Sequence, residues 1–551
     1  MRIFHYLYPS LLILFVASCA HIVAPTGGPK DITPPIMVRA KPDTFSIHFN
    51  TPQIRIDFDE FIQLKDEMNQ IIISPPMEKP PEIKVNKKSI IIKFKEKLKD
   101  STTYNINFGN SISDVHEGNI KEGFQYVFST GDYVDSLSLK GKCKYAKDLK
   151  SDKGILVMLY MNLDDSIPAL HKPDYFTKTD SAGNYKINNI KEGIYKLFAL
   201  KDLNNNYLFD QPGEAIGYKD SPIQISGKDS ADLFVFEEIK AKQYVIKSFC
   251  EEFGKLLFVF NKPLTNLNIQ FLNNNQNDSS ISFFEYSQER DSVLYWFTNF
   301  TQDSMKMIVR DNDKVLDTLS IYIKSKDSKR NRDKSYKFSL NINSSPGNSQ
   351  LMSPENDLTL ITSHPINDFD GSKFILKEDT IPIIGFKING LDSTKRKIQI
   401  HFPWKESSTY MLSFPKGTFT DIFGLTNDTT LNFSNKIKSS KDYGNLKLKF
   451  KTPSSGSNYI LQLMNDKDDI FQQNIVQGDT TITYSFLDPS KYKIKLIYDS
   501  NNNGKWDTGN YFQHLQPEKV TYCKEIFNVR ANWDVEANWI LVPENLYFNS
   551  R

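Results

Sequence analysis

The sequence predicts an all-β protein: several tandem antiparallel β-sandwiches behind a short apolar leader. Three observations carry that expectation. Beyond residue 35 the apolar residues recur mainly at period two, as in Ile54-Arg55-Ile56-Asp57-Phe58, Tyr104-Asn105-Ile106-Asn107-Phe108 and Lys255-Leu256-Leu257-Phe258-Val259-Phe260. The runs are β-branched and aromatic, with Asn, Asp, Gly and Pro between them, and no helical stripe of three turns or more stands out. Two pairs of segments also recur at nearly one spacing, since Tyr104 and Tyr410 are 306 positions apart and Asp202 and Asp499 are 297 apart.

A chain of 551 residues is too long for one core, and at roughly 100–200 residues per domain it holds about three to five. Aromatic residues at 13% supply enough side chain for several cores and exclude wholesale disorder. Lys and Arg total 68 against 66 Asp and Glu, a net charge of +2 that gives no electrostatic reason to bind nucleic acid. No apolar run reaches the 18 or more residues of a spanning helix, which excludes a polytopic membrane protein. Four cysteines exclude a disulfide-built scaffold.

The N-terminus reads as an address. Arg2 supplies a positive charge, and residues 7–17 are apolar apart from Pro9 and Ser10, the length of a signal-peptide hydrophobic region. Val16-Ala17-Ser18-Cys19 then resembles a bacterial lipobox, in which small residues precede the cysteine that becomes the lipid-bearing first residue. The expectation is a lipoprotein signal peptide at 1–18 and a membrane anchor through acyl chains on Cys19, at about 0.8 kcal/mol per buried CH₂. Residues 19–35, rich in Pro and Gly, form a tether, part flexible and part extended. No Asp or Glu adjoins Cys19, so the anchored chain faces either side of the outer membrane.

The body repeats. Ser101-Thr102-Thr103-Tyr104-Asn105-Ile106-Asn107-Phe108 resembles Ser407-Ser408-Thr409-Tyr410-Met411-Leu412-Ser413-Phe414, and each is followed by a turn with an Asp, Asp114 or Asp421. Residues 195–210 likewise match 492–507. The first pair of segments is similar to bacterial Ig-like domains of the surface-layer type. The second resembles prealbumin-like (carboxypeptidase-regulatory-type) sandwiches through Thr179-Asp180-Ser181-Ala182-Gly183-Asn184-Tyr185 and Gly193-Ile194-Tyr195. Gln477-Gly478-Asp479-Thr480 stands in place of the Thr-Asp-x-x-Gly turn in the second copy.

Lipobox, tether, Ig-like domain and prealbumin-like domain in that order are similar to Gram-negative envelope lipoproteins. The resemblance implies Ig-like domains at 36–132 and 345–435 and prealbumin-like sandwiches at 136–236 and 444–543. Between the two copies, 240–325 reads as a β-sandwich of unassigned type and 326–342 as a polar linker, its basic run Lys324 to Lys334 a solvated stretch.

Chemistry is sparse. Asp499, Asn501, Asn503 and Asp507 stand at positions 1, 3, 5 and 9 of a loop with Gly504 at position 6, and Asp202, Asn204, Asn206 and Asp210 repeat the spacing with Tyr207 in place of the glycine. That spacing permits a calcium loop, but position 12 is Gly213 or Asn510 rather than a bidentate Glu, so any Ca²⁺ site is weak. The other reading is a turn whose Asn and Asp bond their own backbone. Neither a resident cofactor nor a catalytic residue is expected: His48, His116, His171, His364, His401 and His514 are scattered, and no zinc-protease, serine-hydrolase or phosphate-loop motif occurs. Asp57, Asp59 and Glu60 fit strand alternation, Cys143, Cys250 and Cys523 fit buried inert thiols, and the five tryptophans fit cores.

The expectation is a non-enzymatic, outer-membrane-anchored lipoprotein, a structural or protein-interaction component of the cell envelope and a candidate part of a larger outer-membrane complex. Its partners are the membrane through Cys19 and envelope proteins, not nucleic acid. Two alternatives stand: glycan or surface binding through exposed Trp and Tyr, and an enzyme with its site in 240–325.

Overall fold

A computed structural model describes residues 30–542 apart from 239–241, 274–280, 288, 325–337, 344–350, 390–392 and 454–455. Half of the chain, 50%, is strand and 3% is helix, so the all-β expectation holds. The chain divides into two compact units, Met1–Tyr145 with Lys150–Val235, and Ala146–Leu149 with Phe236–Arg551.

The first unit begins with a sandwich whose one sheet runs in the order Met37–Lys41, Gln53–Phe58, Ser89–Lys93, Glu82–Asn86, and whose other is Ile72–Ser74, Thr103–Asn107, Gln125–Ser129. Alternation in Gln53–Phe58 turns Ile54, Ile56 and Phe58 inward, where they join Ile90, Ile92, Tyr104, Ile106, Phe108, Tyr126 and Phe128. Burying each such side chain contributes roughly 1.5–3 kcal/mol. Antiparallel register opposes Ile54 to Ile92 and Ile56 to Ile90. A one-residue slip would turn the whole set to solvent.

In the second sandwich of this unit Tyr175–Lys178, Leu156–Tyr160, Gly193–Leu200 and Ala215–Tyr218 pair in that order. Leu137–Tyr145 pairs antiparallel with Asn184–Ile190 and parallel with Leu233–Glu237, so the first and last strands close on each other. Val157, Leu159, Tyr185, Ile187, Tyr195 and Leu197 fill the core. Gly141 is needed where backbones touch, because a Cβ there would stand 1.8 Å from the Ala231 carbonyl oxygen. The two sandwiches of the unit meet through an ion pair, Lys172 Nζ to Glu78 Oε2 (2.9 Å), and through uncharged groups. Phe176 N–H donates to Ser74 Oγ (3.2 Å) and Asn105 Nδ2 to Asn189 Oδ1 (2.8 Å). Phe176 is buried at this contact, while Tyr175 is buried in the core of its own sandwich.

The second unit holds three sandwiches. The first has Val245–Glu252, Lys255–Phe260, Ser292–Phe297 and Ser282–Tyr286 in one sheet and Leu267–Phe271, Ser304–Asp311 and Lys314–Tyr322 in the other. Leu256, Phe258, Phe260, Tyr295, Met307 and Val309 lie between them. In the second, the sheet Leu340–Asn343, Leu358–Thr362, Lys397–His401, Lys387–Asn389 faces Leu351–Met352, Leu431–Ile437, Thr409–Phe414, Ile375–Glu378, Ile381–Ile383. In the third, Thr480–Leu487, Gly444–Lys451 and Asp534–Ile540 face Ile470–Gln477, Asn458–Met464, Ser490–Asp499 and Val520–Tyr522. Gly444–Lys451 and Asp534–Ile540 run parallel, again first strand with last.

Repetition extends to single hydrogen bonds. Tyr104 and Tyr410 are buried, and each hydroxyl accepts the amide N–H five residues earlier, Lys99 or Lys405. Tyr195 and Tyr492 are buried too, and each hydroxyl donates to the carbonyl four residues earlier, Lys191 or Asp488. Each pair of tyrosines fixes the same corner of the same sandwich in the two copies.

Candidate functional site

Cys19 lies outside the described residues, and the candidate site within them is the pair of Asn-rich loops. Each follows the strand that crosses the middle of a sheet, Gly193–Leu200 or Ser490–Asp499, and the structure brings together the four predicted oxygen-bearing side chains of each loop.

In the first loop Asp202 Oδ1 accepts from Asn204 N (3.2 Å) and Asn205 N (2.7 Å), and its Oδ2 accepts from Tyr207 N (2.9 Å). Asn204 and Asn206 accept through Oδ1 from the amides of Asn206 and Leu208, which turns both Nδ2 groups onto Asp210, at 3.1 and 2.7 Å. The second loop repeats the plan. Asp499 accepts from Asn503 N (3.0 Å) and Gly504 N (2.9 Å), and Asn501 and Asn503 both donate through Nδ2 to Asp507 Oδ2 at 2.6 Å. Tyr207 takes the same left-handed conformation as Gly504, φ 68° against 74°, and its ring packs edge-on against Phe176 at 4.9 Å. The absent glycine therefore leaves the turn intact.

Sequence reasoning sought a glutamate at position 12 and missed the one each loop uses. Glu214 is buried, and its carboxylate accepts from Leu203 N (3.1 Å), Asp210 N (3.0 Å) and Gln211 N (2.9 Å). Glu518 is buried as well and accepts from Ser500 N (2.7 Å), Ser500 Oγ (2.9 Å) and Asp507 N (3.1 Å). One carboxylate thus clamps the start and the end of each loop. The glutamate comes 4 residues after Asp210 but 11 after Asp507, so a fixed-spacing motif does not find it. The available signal was Glu preceded by Pro in both copies, Pro212-Gly213-Glu214 and Pro517-Glu518.

The donor set is that of turns closed by their own hydrogen bonds, because the third and fifth side chains present amide N–H groups to the last Asp where a cation would need oxygens. Among the described residues no group of three or more His, Cys, Asp or Glu could hold a metal ion.

The remaining polar residues have structural surroundings. Asp57 accepts from Ser89 Oγ (2.6 Å), Arg39 Nε (2.7 Å) and Arg55 Nε (2.8 Å), which together hold its carboxyl far below the usual range, and Asp59 accepts from Ile36 N (2.9 Å). Burial raises the Glu60 carboxyl. His401 is exposed and bonded to Asp357 (2.6 Å). His364, by contrast, is buried in the second unit with Nδ1 against Asp421 Oδ2 (2.7 Å) and Nε2 near Glu252 Oε1 (3.7 Å). Cys143 and Cys250 are buried and Cys523 half-buried, all three as free thiols, and desolvation raises each thiol, Cys143 to about 12. Trp404 is buried in a core and Trp296 is buried outside one, beside His364 and Arg396 with Nε1 donating to Glu285 (2.9 Å), whereas Trp533 is exposed.

The family model of the bacterial Ig-like domain matches residues 31–130. No curated protein matches the chain. Among solved structures, the Bacillus anthracis TIE protein aligns at 10% identity over 97% of this chain and 78% of its own, with a TM-score of 0.16. The major pilin subunit of Bacillus cereus aligns at 9% identity over 74% and 99%, with a TM-score of 0.14. The Bacteroides ovatus SGBP-B of a mixed-linkage glucan utilization locus, in complex with a mixed-linkage heptasaccharide, aligns at 8% identity over 72% and 94%, with a TM-score of 0.18. Scores this low carry no argument. The chain is therefore a series of repeated β-sandwiches that includes a bacterial Ig-like domain at its N-terminal end.

Proposed function

We propose that the chain is a lipid-anchored envelope protein of the outer membrane, held by acyl groups on Cys19 and acting as a structural or protein-interaction arm. The observation that supports this reading is an order of elements: a small-residue run ending at Cys19, a Pro/Gly tether, and an Ig-like domain matched from residue 31. The tether sets the reach, and the repeated sandwiches of 36–132, 136–236, 240–325, 345–435 and 444–543 present loops and edge strands to partner proteins. Within them buried carboxylates such as Glu214 and Glu518 close loops.

Labelled fatty acid supplied to expressing cells tests the anchor. Label is expected on the wild-type chain and absent from Cys19→Ser, and an unlabelled wild type would overturn it. Isolation of the native lipidated chain from membranes, with quantitation of co-purifying proteins against the Cys19→Ser control, tests the interaction role.

A further inference from the structure

In the second unit, Ser292–Phe297 turns Val293, Tyr295 and Phe297 into the core of the first sandwich, which leaves Trp296 on the outer face of the sheet. Trp296 is nonetheless fully buried, because the second sandwich covers it. From that sandwich the Arg396 guanidinium lies 5.5 Å from the centre of the indole ring, and the His364 ring meets it edge-on at 6.3 Å. Arg396 Nη1 also donates to Glu285 Oε1 (2.9 Å) and Oε2 (3.1 Å), and Glu285 Oε2 accepts from Trp296 Nε1 (2.9 Å). Nearby, the turn at Gly254 approaches Phe423 so closely that a Cβ would stand 2.4 Å from the ring. Phe253 packs edge-on against the same ring at 6.2 Å. Side chains of two sandwiches thus build one joint.

Histidine is the side chain that ordinarily changes charge between about pH 5 and 8, and one sits in this joint. His364 Nδ1 is held by Asp421 of its own sandwich at 2.7 Å, and Nε2 faces Glu252 of the other at 3.7 Å. A neutral imidazole carries one proton, and the closer carboxylate keeps it on Nδ1, so Nε2 then turns a lone pair toward Glu252. The imidazolium, by contrast, attracts both carboxylates. Deprotonation therefore spares the bond within the second sandwich and removes the attraction between the two. The other charged groups that face the pair are cations and their partners. Lys255 Nζ lies 2.8 Å from Glu251 and 4.0 Å from Glu252, Lys324 Nζ donates to the Glu251 carbonyl (2.6 Å), and Arg396 pairs with Glu285 beside Trp296.

We propose that His364 is a pH-sensitive latch between these two sandwiches: as the imidazolium it ties Glu252 to Asp421, and as the neutral ring it lets the joint open. The latch biases the joint without carrying it, since the Arg396–Glu285 pair and the Phe253–Phe423 contact persist at either charge of the ring. The joint is tightest below about pH 6.5 and loosens as pH rises through the raised folded value of the histidine. The expected change in the open fraction is about tenfold, an ordinary coupling between two sites. The proposal does not rest on the lipid anchor, and failure of Cys19 acylation leaves it standing.

Trp296 reports the joint, because it lies on an outer face that the neighbouring sandwich covers. The experiment is fluorine NMR of the full chain grown with fluorotryptophan, the Trp296 signal being assigned by its loss in Trp296→Phe. Broadening of that signal by a soluble gadolinium chelate is followed from about pH 5 to well above neutrality, with circular dichroism to verify folding. In the wild type, broadening is expected to rise about tenfold as the histidine loses its proton. His364→Gln should make it independent of pH. Glu252→Gln should remove most of the rise, whereas a role for His364 confined to its own sandwich would leave the rise intact in this variant. Glu252 is half-buried, so its substitution decides the matter should His364→Gln misfold. A wild-type Trp296 equally shielded at every pH would overturn the proposal, and so would a rise that Glu252→Gln leaves unchanged.

Discussion

His364 Nδ1 lies 2.7 Å from Asp421 Oδ2 in a site closed to water, with Glu252 3.7 Å from the other ring nitrogen. Asp421 also accepts the amides of Phe423 (2.9 Å) and Leu425 (2.8 Å), so one carboxylate shapes a turn and holds an imidazole. Burial alone would lower the histidine pKa, but the two carboxylates outweigh it and raise it above its ordinary 6.5. The imidazole of His364, aided by Lys255, depresses Glu252 below its ordinary 4.5.

The signs set a pH window. The raised histidine contributes stability in full below its unfolded value of about 6.5 and loses it as pH rises through the folded value. Glu252 contributes above about 4.5 and loses its share as pH falls through its depressed folded value. Denaturant unfolding of the full chain is expected to show a transition that weakens as pH rises above about 6.5, and His364→Gln should flatten that slope. An unchanged slope in the variant would remove His364 as its source. Asp421→Ala should cost about 3–5 kcal/mol below pH 6.5, because it leaves a buried cation and two amides without their partner.

The glutamate clamps carry a second prediction. Glu214→Gln and Glu518→Gln keep the shape but set an amide N–H against a backbone N–H donor. Each is expected to destabilise its sandwich by about 1–3 kcal/mol in denaturant titrations, whereas Glu117→Gln, outside both loops, should be near neutral.

Calcium provides a third. Both oxygens of Asp202, Asp210 and Asp499 already accept N–H bonds within their loops. Melting curves of the full chain in millimolar calcium and in chelator are therefore expected to coincide. A rise in Tm with calcium, abolished by Asp507→Ala, would instead show an ion held by these side chains.

Gly141→Ala gives a fourth. Its Cβ would collide with the Ala231 carbonyl, which belongs to the backbone and cannot swing aside as a side chain end can. The strands Leu137–Tyr145 and Lys228–Ser230 must then part. A loss of about 1–3 kcal/mol or more is expected, against a small change for Gly227→Ala, where a Cβ meets nothing within 4 Å.

Strand alternation and the tyrosine-bearing repeats were legible because both are local. Ile54, Ile56 and Phe58 alternate with polar neighbours, and the structure buries those three. Tyr104 and Tyr410 bond five residues back, within one reading window. The His364 cluster was not legible, since Asp421 is 57 positions away and Glu252 lies on a different sandwich. Glu214 and Glu518 escaped for a related reason. Their partners are backbone amides, which any residue offers, and a longer excursion after Asp507 shifts the spacing.

In each sandwich with an Asn-rich loop, the opening strand takes its final parallel neighbour from the far end, as Asn445 does with Asp534, 89 residues later. Neither module can finish its sheet until the ribosome has delivered nearly all of it, because a bond of that span cannot form on a partial chain. Nascent chains stopped short of residue 534 will leave Gly444–Lys451 with a bare side, so truncation there should yield a sticky, protease-sensitive product rather than a slightly smaller arm.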